Sequence, residues 1–274
     1  MEINMLETIR ETADFIRNQV GETPDTAVIL GTGLGDLVNH IQITKELDYH
    51  NIPNFPVSTV EGHSGKLIFG RLGGKYIMAM QGRFHYYEGY DMKQVTFPVR
   101  VMKQLGVKTL FVSNAAGGMN PEFVVGDVMI ITDHINLFPE NPLRGKNYEE
   151  LGPRFPAMTE AYSDRLVKMA DEIAEKDGIR LMHGVYVGTP GPTFETPAEY
   201  EYFRIIGGDA VGMSTVPEVI VANHAGMEVF GVSVITDLGG KEIKDVPTHE
   251  EVQKAAVKAQ PVMTRIIKEM ASRI

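Results

Sequence analysis

Arg83, His85 and Tyr87 alternate along 81–90, QGRFHYYEGY, just after a run that reads as a strand. If the segment stays extended, the three side chains project to one face. A guanidinium fork beside an imidazole suits an oxyanion; the same spacing also fits an exposed aromatic edge strand. His63, in EGHSG at 61–65, sits on a glycine-bounded turn where a histidine is more often simply solvated. Ser214, in GMSTVPE at 212–218, precedes a helix start, but Val216 stands where a serine-hydrolase elbow needs glycine. Phe194 and Glu195 lie in GPTFETPAEY, 191–200. Helix capping accounts for Thr196, Pro197 and Glu199 there and leaves those two unexplained. An aromatic face beside a carboxylate suits a flat heterocycle that carries N–H donors.

The loop ILGTGLGDL, 29–37, invites a nucleotide reading that its spacing does not support. Gly31 and Gly33 fit a dinucleotide fingerprint, but Asp36 occupies the third position and Gly35 comes one residue early. The Lys-Ser/Thr of a phosphate-binding P-loop is missing. What remains is a turn whose N–H groups and Thr32 hydroxyl could cup a small anion, or a tight turn that needs positive φ. At 113–121, SNAAGGMNP, tiny side chains at the carboxyl end of a strand leave room for a ligand against the backbone; a plain turn explains them too. HExxH is absent, and the eight histidines form no metal pattern.

The elements that must position these residues alternate. Leu6, Ile9, Ala13, Ile16 and Val20 recur at helical spacing and Gly21 ends that helix. Strands are expected at 27–30, at 66–71 and 75–80 around a Gly-Gly hairpin signal, and at 109–114, 128–132, 181–188 and 231–236. Helices are expected at 93–105, from about 166 to Gly178, and after the capping boxes TPAE at 196–199 and THEE at 248–251, with Pro261 kinking or splitting the last. The stretch 136–160 has no periodicity, which in a compact domain suggests a functional or interfacial segment. The alternation predicts an α/β class with a mostly parallel sheet in one domain.

Bulk properties exclude other classes. The chain has 274 residues, enough for a sizeable core without staples, and no cysteine, which removes disulfides, thiolate metal sites and a cysteine nucleophile. A cysteine-free chain fits a reducing cytosol. The first twenty residues lack the uncharged core of a signal peptide, and no run of eighteen apolar residues exists, so a cytoplasmic protein without membrane contact is expected. With a net charge of −10 and no basic block, nucleic acid is not an expected partner, and any anionic ligand must be held locally by a few donors.

Taken in order, GTGLG, GHSGKL, QGRFHYYEGY, SNAAGGMN, NPLRG, RFPAMTEAY, GPTFETPAE, GMSTVPE and HEEV run from residue 31 to 252. Jointly they resemble the trimeric, inosine/guanosine-type purine nucleoside phosphorylases. The resemblance implies a single nucleoside phosphorylase domain over 1–274, with a twisted mixed β-sheet curling into a distorted barrel flanked by helices. It implies a phosphate cup at Thr32, His63, Arg83, His85, Ala115 and Ser214. Ribose contacts fall on Tyr87, Met213 and His249, with Phe155 completing a neighbouring subunit's site in a homotrimer. Ala116, Phe194, Glu195, Val211, Gly212 and Asp237 line the base position.

The reaction implied is phosphorolysis of inosine and guanosine and their deoxy forms, with inorganic phosphate as co-substrate, no further cofactor and no metal, in nucleoside salvage. Glu195, Asp237 and His85 take the catalytic roles. One departure stands out: the family usually carries asparagine where this chain has Asp237. A protonated Asp237 could donate to purine N7, whereas an ionised one would accept from a 6-amino group. The related methylthioadenosine phosphorylases use aspartate there but lack equivalents of Glu195 and His249. The expectation is therefore a 6-oxopurine preference with some 6-aminopurine activity. Methylthioadenosine or adenosine phosphorolysis, which Asp237 alone supports, hydrolysis, NAD-dependent oxidoreduction on the Gly31–Gly33 loop and non-catalytic nucleoside binding are the competing readings.

Overall fold

The structure is a computed structural model that describes residues 5–32, 34–57, 64–240 and 248–274, without the side chain of His249. The strands are β1 (Thr26–Leu30), β2 (Gln42–Asp48), β3 (Lys66–Leu72), β4 (Lys75–Gln81), β5 (Thr109–Gly118), β6 (Val128–Asn136), β7 (Met182–Gly188), β8 (Ala210–Gly212) and β9 (Glu228–Leu238). The helices are α1 (Met5–Val20), α2 (Met92–Leu105), α3 (Asp164–Asp177), α4 (Pro197–Ile205), α5 (Val216–His224) and α6 (His249–Ala271). They build one nine-stranded sheet in the order β2-β3-β4-β1-β5-β8-β7-β6-β9. A further pairing of β9 back onto β5 closes the last five strands into a mixed barrel, and β1 to β4 extend from it as an open sheet.

The apolar runs explain this layering. β1 is buried at every position, and its residues alternate between two cores: Ala27 and Ile29 face one, Val28 and Leu30 the other. The first core packs α1, α2 and α5 through Ala13, Val99 and Val219. The second packs α3 and α6 through Leu166, Ala170, Ala256 and Met263. A strand buried on both faces reads as a continuous apolar run, and β1 does.

Several expectations change. The sheet is mixed rather than mostly parallel: β2–β3, β3–β4, β5–β8 and β6–β9 are antiparallel. Pro261 does not split α6. The proline ring deprives the Val257 carbonyl of its donor, but Val257 is 51% exposed and water can replace it, while Ala256, Ala259 and Met263 hold the helix on its core side. The small residues of 114–118 form no turn; they continue β5, paired with β9 through an irregularity between Ala116 and Gly117. Among the described residues no helix is long and apolar enough to cross a membrane.

Candidate active site

A cavity of about 550 Å³ opens where β5 and β9 end, between the segment after β4 and the starts of α4 and α5. It is lined by Thr32, Arg83, His85, Tyr87, Ala115, Ala116, Phe194, Glu195, Val211, Gly212, Met213, Ser214 and Asp237, all singled out from sequence. Phe155 is not among them: it is 88% exposed and borders a separate depression with Arg154 and Ile220. His63 and the His249 side chain lie outside the described residues. A second cavity, about 500 Å³ against α1 and α2, contains none of the sequence candidates.

At one end the donors for an anion converge. Arg83 is 1% exposed and forks onto Glu218, Nε to Oε1 at 3.1 Å and Nη2 to Oε2 at 2.7 Å. Its Nη1 donates to the Ser113 carbonyl at 2.5 Å and reaches Ser214 Oγ at 3.4 Å. Gly31 has a steric task here: a β-carbon on it would lie 2.7 Å from the Ser113 carbonyl and 3.2 Å from Arg83 Nη1. The first glycine of the loop therefore lets β1 close against β5 and the guanidinium, and neither Gly31 nor Gly35 adopts positive φ.

Ser214 leads into α5 through Thr215, which holds φ at +70° although it is β-branched. Such a backbone costs on the order of 1–3 kcal/mol and persists only where its surroundings hold it. Asn114 Nδ2 donates to Thr215 Oγ1 at 2.9 Å and supplies part of that hold. The result places Ser214 in the cavity wall at the entry to α5.

His85 and Tyr87 do not sit on one extended strand. The chain turns into a single 3-10 turn at Tyr86–Glu88, and the two rings stack instead, 4.7 Å apart. His85 Nδ1 lies 2.9 Å from Glu88 Oε1. Burial pulls the imidazole below its ordinary pKa, and Glu88 opposes that pull. Burial likewise pushes the Tyr87 hydroxyl up to about 12.

The far end carries carboxyls. Thr189 Oγ1 donates to Glu195 Oε1 at 3.3 Å, and burial together with the charge on Asp237 raises Glu195 above the usual carboxylate range. Burial also raises Asp237, opposed by the Thr236 hydroxyl on Oδ1 at 2.9 Å and the Tyr200 hydroxyl on Oδ2 at 3.2 Å. Phe194 stands at the rim, 43% exposed.

Sequence reasoning missed Glu218, Glu88, Asn114, Thr236 and Tyr200. Glu218 reads as an acidic first-turn residue, yet it turns inward to a partner 135 positions away. Tyr200 stands four residues after a helix cap, where an aromatic reads as core.

The model of the phosphorylase superfamily matches residues 25–272. The chain is 52% identical over 260 residues to purine nucleoside phosphorylase 1 of Geobacillus stearothermophilus, covering 95% of both chains. It superposes with a TM-score of 0.94 on a purine nucleoside phosphorylase of Schistosoma mansoni solved with adenosine, at 42% identity and 99% coverage of each chain. The TM-score is the same against that organism's enzyme solved with inosine, at 41% identity, with 100% of this chain and 99% of that one covered.

Proposed function

The chain belongs to the phosphorylase superfamily and, within it, is a purine nucleoside phosphorylase; from that premise we propose that it cleaves inosine and guanosine with inorganic phosphate, yielding free base and ribose 1-phosphate. The observation that carries the finer reading is the polarity of this cavity: Arg83 and Ser214 at one end, Glu195 and Asp237 at the other. A nucleoside laid between them has its sugar carbon facing the anion end and its base edge facing the carboxyls.

In this mechanism Thr32, Arg83, His85, Ser214 and the Ala115 backbone hold phosphate below C1′, with His63 nearby. A new bond forms from a phosphate oxygen to C1′ as the C1′–N9 bond breaks, and the bonding pair leaves with the purine. Fixed donors positioned around the nucleophile supply most of the acceleration, by orientation and electrostatics. Ionised Glu195 accepts N1–H. Asp237, raised by burial, donates its proton toward N7 and regains one as the sugar phosphate monoester releases one to solvent. Neutral His85 agrees with its depressed pKa and leaves Arg83 as the cation of the cup. Ala116, Phe194, Val211 and Gly212 wall the base, and Tyr87, Met213 and His249 contact the ribose.

The same reading makes the enzyme a cytoplasmic homotrimer in nucleoside salvage, needing no cofactor beyond phosphate, with Phe155 entering a neighbouring site. The exposure of so large an aromatic side chain supports that role for it. The adenosine and inosine complexes of the Schistosoma enzyme support a purine nucleoside in the cavity. The deciding experiment is base release from inosine, guanosine and adenosine with and without phosphate. Release that continues undiminished without phosphate would make the protein a hydrolase and end this reading.

A further inference from the structure

Glu195 and Asp237 are two carboxyls that line one cavity together with the Tyr200 side chain. The Tyr200 hydroxyl donates to Asp237 Oδ2 at 3.2 Å. Its position is built in: Tyr200 is 8% exposed, and a β-carbon on either Gly239 or Gly117 would run into it.

Each carboxyl also has its own threonine with a spare acceptor. Thr236 Oγ1 can donate to Asp237 Oδ1 at 2.9 Å or to the Ala116 carbonyl at 3.3 Å. Thr189 Oγ1 can donate to Glu195 Oε1 at 3.3 Å or to the Gly212 carbonyl at 3.4 Å. A hydroxyl has one proton and two lone pairs. Either threonine can therefore donate to an ionised carboxylate or to the carbonyl oxygen of a protonated one, which leaves the acid proton for the purine, or turn its own proton to the backbone. Neither protonation state strands a partner at either carboxyl.

Resting on the reading of the cavity as a purine nucleoside site, we propose that Glu195 and Asp237 share one proton under the control of Tyr200, and that its location matches the site to either of two purine classes. With the proton on Asp237, ionised Glu195 accepts N1–H and Asp237 donates to O6 or N7, which fits a 6-oxopurine. With the proton on Glu195, that carboxyl donates to the bare N1 and ionised Asp237 accepts from the 6-amino group. Both arrangements hold the same number of protons, so 6-oxo- and 6-aminopurine nucleosides are both substrates of one enzyme form.

The electrostatics agree. Burial raises both carboxyls and the charge on Asp237 raises Glu195 further, the behaviour of two like charges that resist ionising together. The groups facing the pair are Tyr200 and Glu199 from α4, Thr189 after β7, Thr236 on β9 and the Gly117 backbone of β5. Among the described residues neither carboxyl forms an ion pair. Tyr200 stays protonated, its pKa driven upward by burial and by both acids.

The test is kcat/KM for inosine and for adenosine, with phosphate, from pH 5 to 9 on the intact enzyme. The expected result is that both substrates decline together on the alkaline side, with one shared apparent pKa and a nearly constant ratio. Adenosine activity that rises where inosine activity falls would mean that Asp237 titrates alone, and would overturn the proposal. So would inosine cleavage with no adenosine cleavage at any pH, although the phosphorolysis reading would survive that outcome. Failure to cleave inosine with phosphate takes down both. Tyr200→Phe supplies a second readout. It removes a donor that favours ionised Asp237, so the adenosine-to-inosine ratio is expected to fall about tenfold. An equal loss on both substrates would reduce Tyr200 to a packing role and overturn its part. Should that variant fail to fold, the wild-type pH profiles still decide.

Discussion

Arg83 and Glu218 form a two-point ion pair in the protein interior, their side chains 1% and 4% exposed. The guanidinium is therefore held by a carboxylate before any substrate arrives. It offers the cavity the side that carries Nη1, next to Ser214 Oγ. Removing either partner strands the other as a buried, uncompensated charge, which costs about 3–5 kcal/mol. Arg83→Ala is thus expected to lower thermal stability severely as well as to weaken phosphate use. The double change Arg83→Met with Glu218→Met should recover most of the stability while the KM for phosphate stays high. Thermal melts and phosphate saturation curves on the three proteins check this. An unchanged melting temperature in Arg83→Ala would show that the pair is not structural.

Gly31 and Gly35 belong to the same loop but carry different demands. A β-carbon on Gly31 would meet backbone atoms, the Ser113 carbonyl at 2.7 Å and Asn114 Cα at 2.9 Å, which cannot swing away. On Gly35 the nearest atom would be the Gln81 side-chain nitrogen at 3.5 Å, an ordinary contact. Gly31→Ala is expected to cost roughly 1–3 kcal/mol through overpacking, to displace Arg83 and to raise the KM for phosphate. Gly35→Ala should be close to neutral in both melts and kinetics. Equal effects from the two would refute the assignment of close approach to Gly31.

These pairs show what the sequence could and could not reveal. Phe194 and Glu195 stood out because local capping physics explained their neighbours and left those two over. The capping boxes at Thr196 and Thr248 were legible for the same reason, since the cap and its reciprocal partner are three residues apart. Glu218 was illegible because its partner is remote in sequence, and the charge pattern of one helix start cannot announce that. β2 was missed because it is an exposed edge strand with a single buried residue, and β8 because three residues carry no period. The run 114–118 lacks the bulky residues of a strand, yet it becomes one. Pairing with β9 supplies the backbone partners, and the absent side chains leave the room that the cavity occupies.

Thr196 couples helix stability to the base end of the cavity. Its hydroxyl accepts from the Glu199 N–H at 3.2 Å, and Glu199 Oε2 accepts from the Thr196 N–H at 2.7 Å. Thr196→Ala should cost about 1 kcal/mol, a fall of about 2–4 °C in melting temperature for a chain of this size. Glu195 precedes the cap and Tyr200 follows it, so fraying should raise the KM for the nucleoside. The KM for phosphate, held at the other end, should not move. A parallel rise in both constants would indicate a global loss of structure instead.

Asp237 makes a prediction about stability whose sign opposes its use. Burial raises its folded-state pKa above the unfolded value of about 3.9. The native state therefore binds its proton more tightly than the unfolded chain does. Below the unfolded pKa the carboxyl is neutral in both states and imposes no penalty. As pH rises from the unfolded value through the raised folded one, the unfolded chain releases a proton that the native carboxyl keeps, so stability falls, and the full cost is present above the folded value. Asp237→Asn removes the ionisable group and with it that cost, and keeps an oxygen for the Tyr200 hydroxyl. The variant is expected to melt higher than the wild type at neutral pH, with the advantage shrinking steadily as the melts are repeated toward pH 4. A constant difference across the series would mean that the gain came from packing, and a lower melting temperature at neutral pH would mean that the charge is compensated in the native state. A stabilised variant that also discriminates more sharply between purine classes would show that this carboxyl is kept at the expense of the fold because the chemistry requires it.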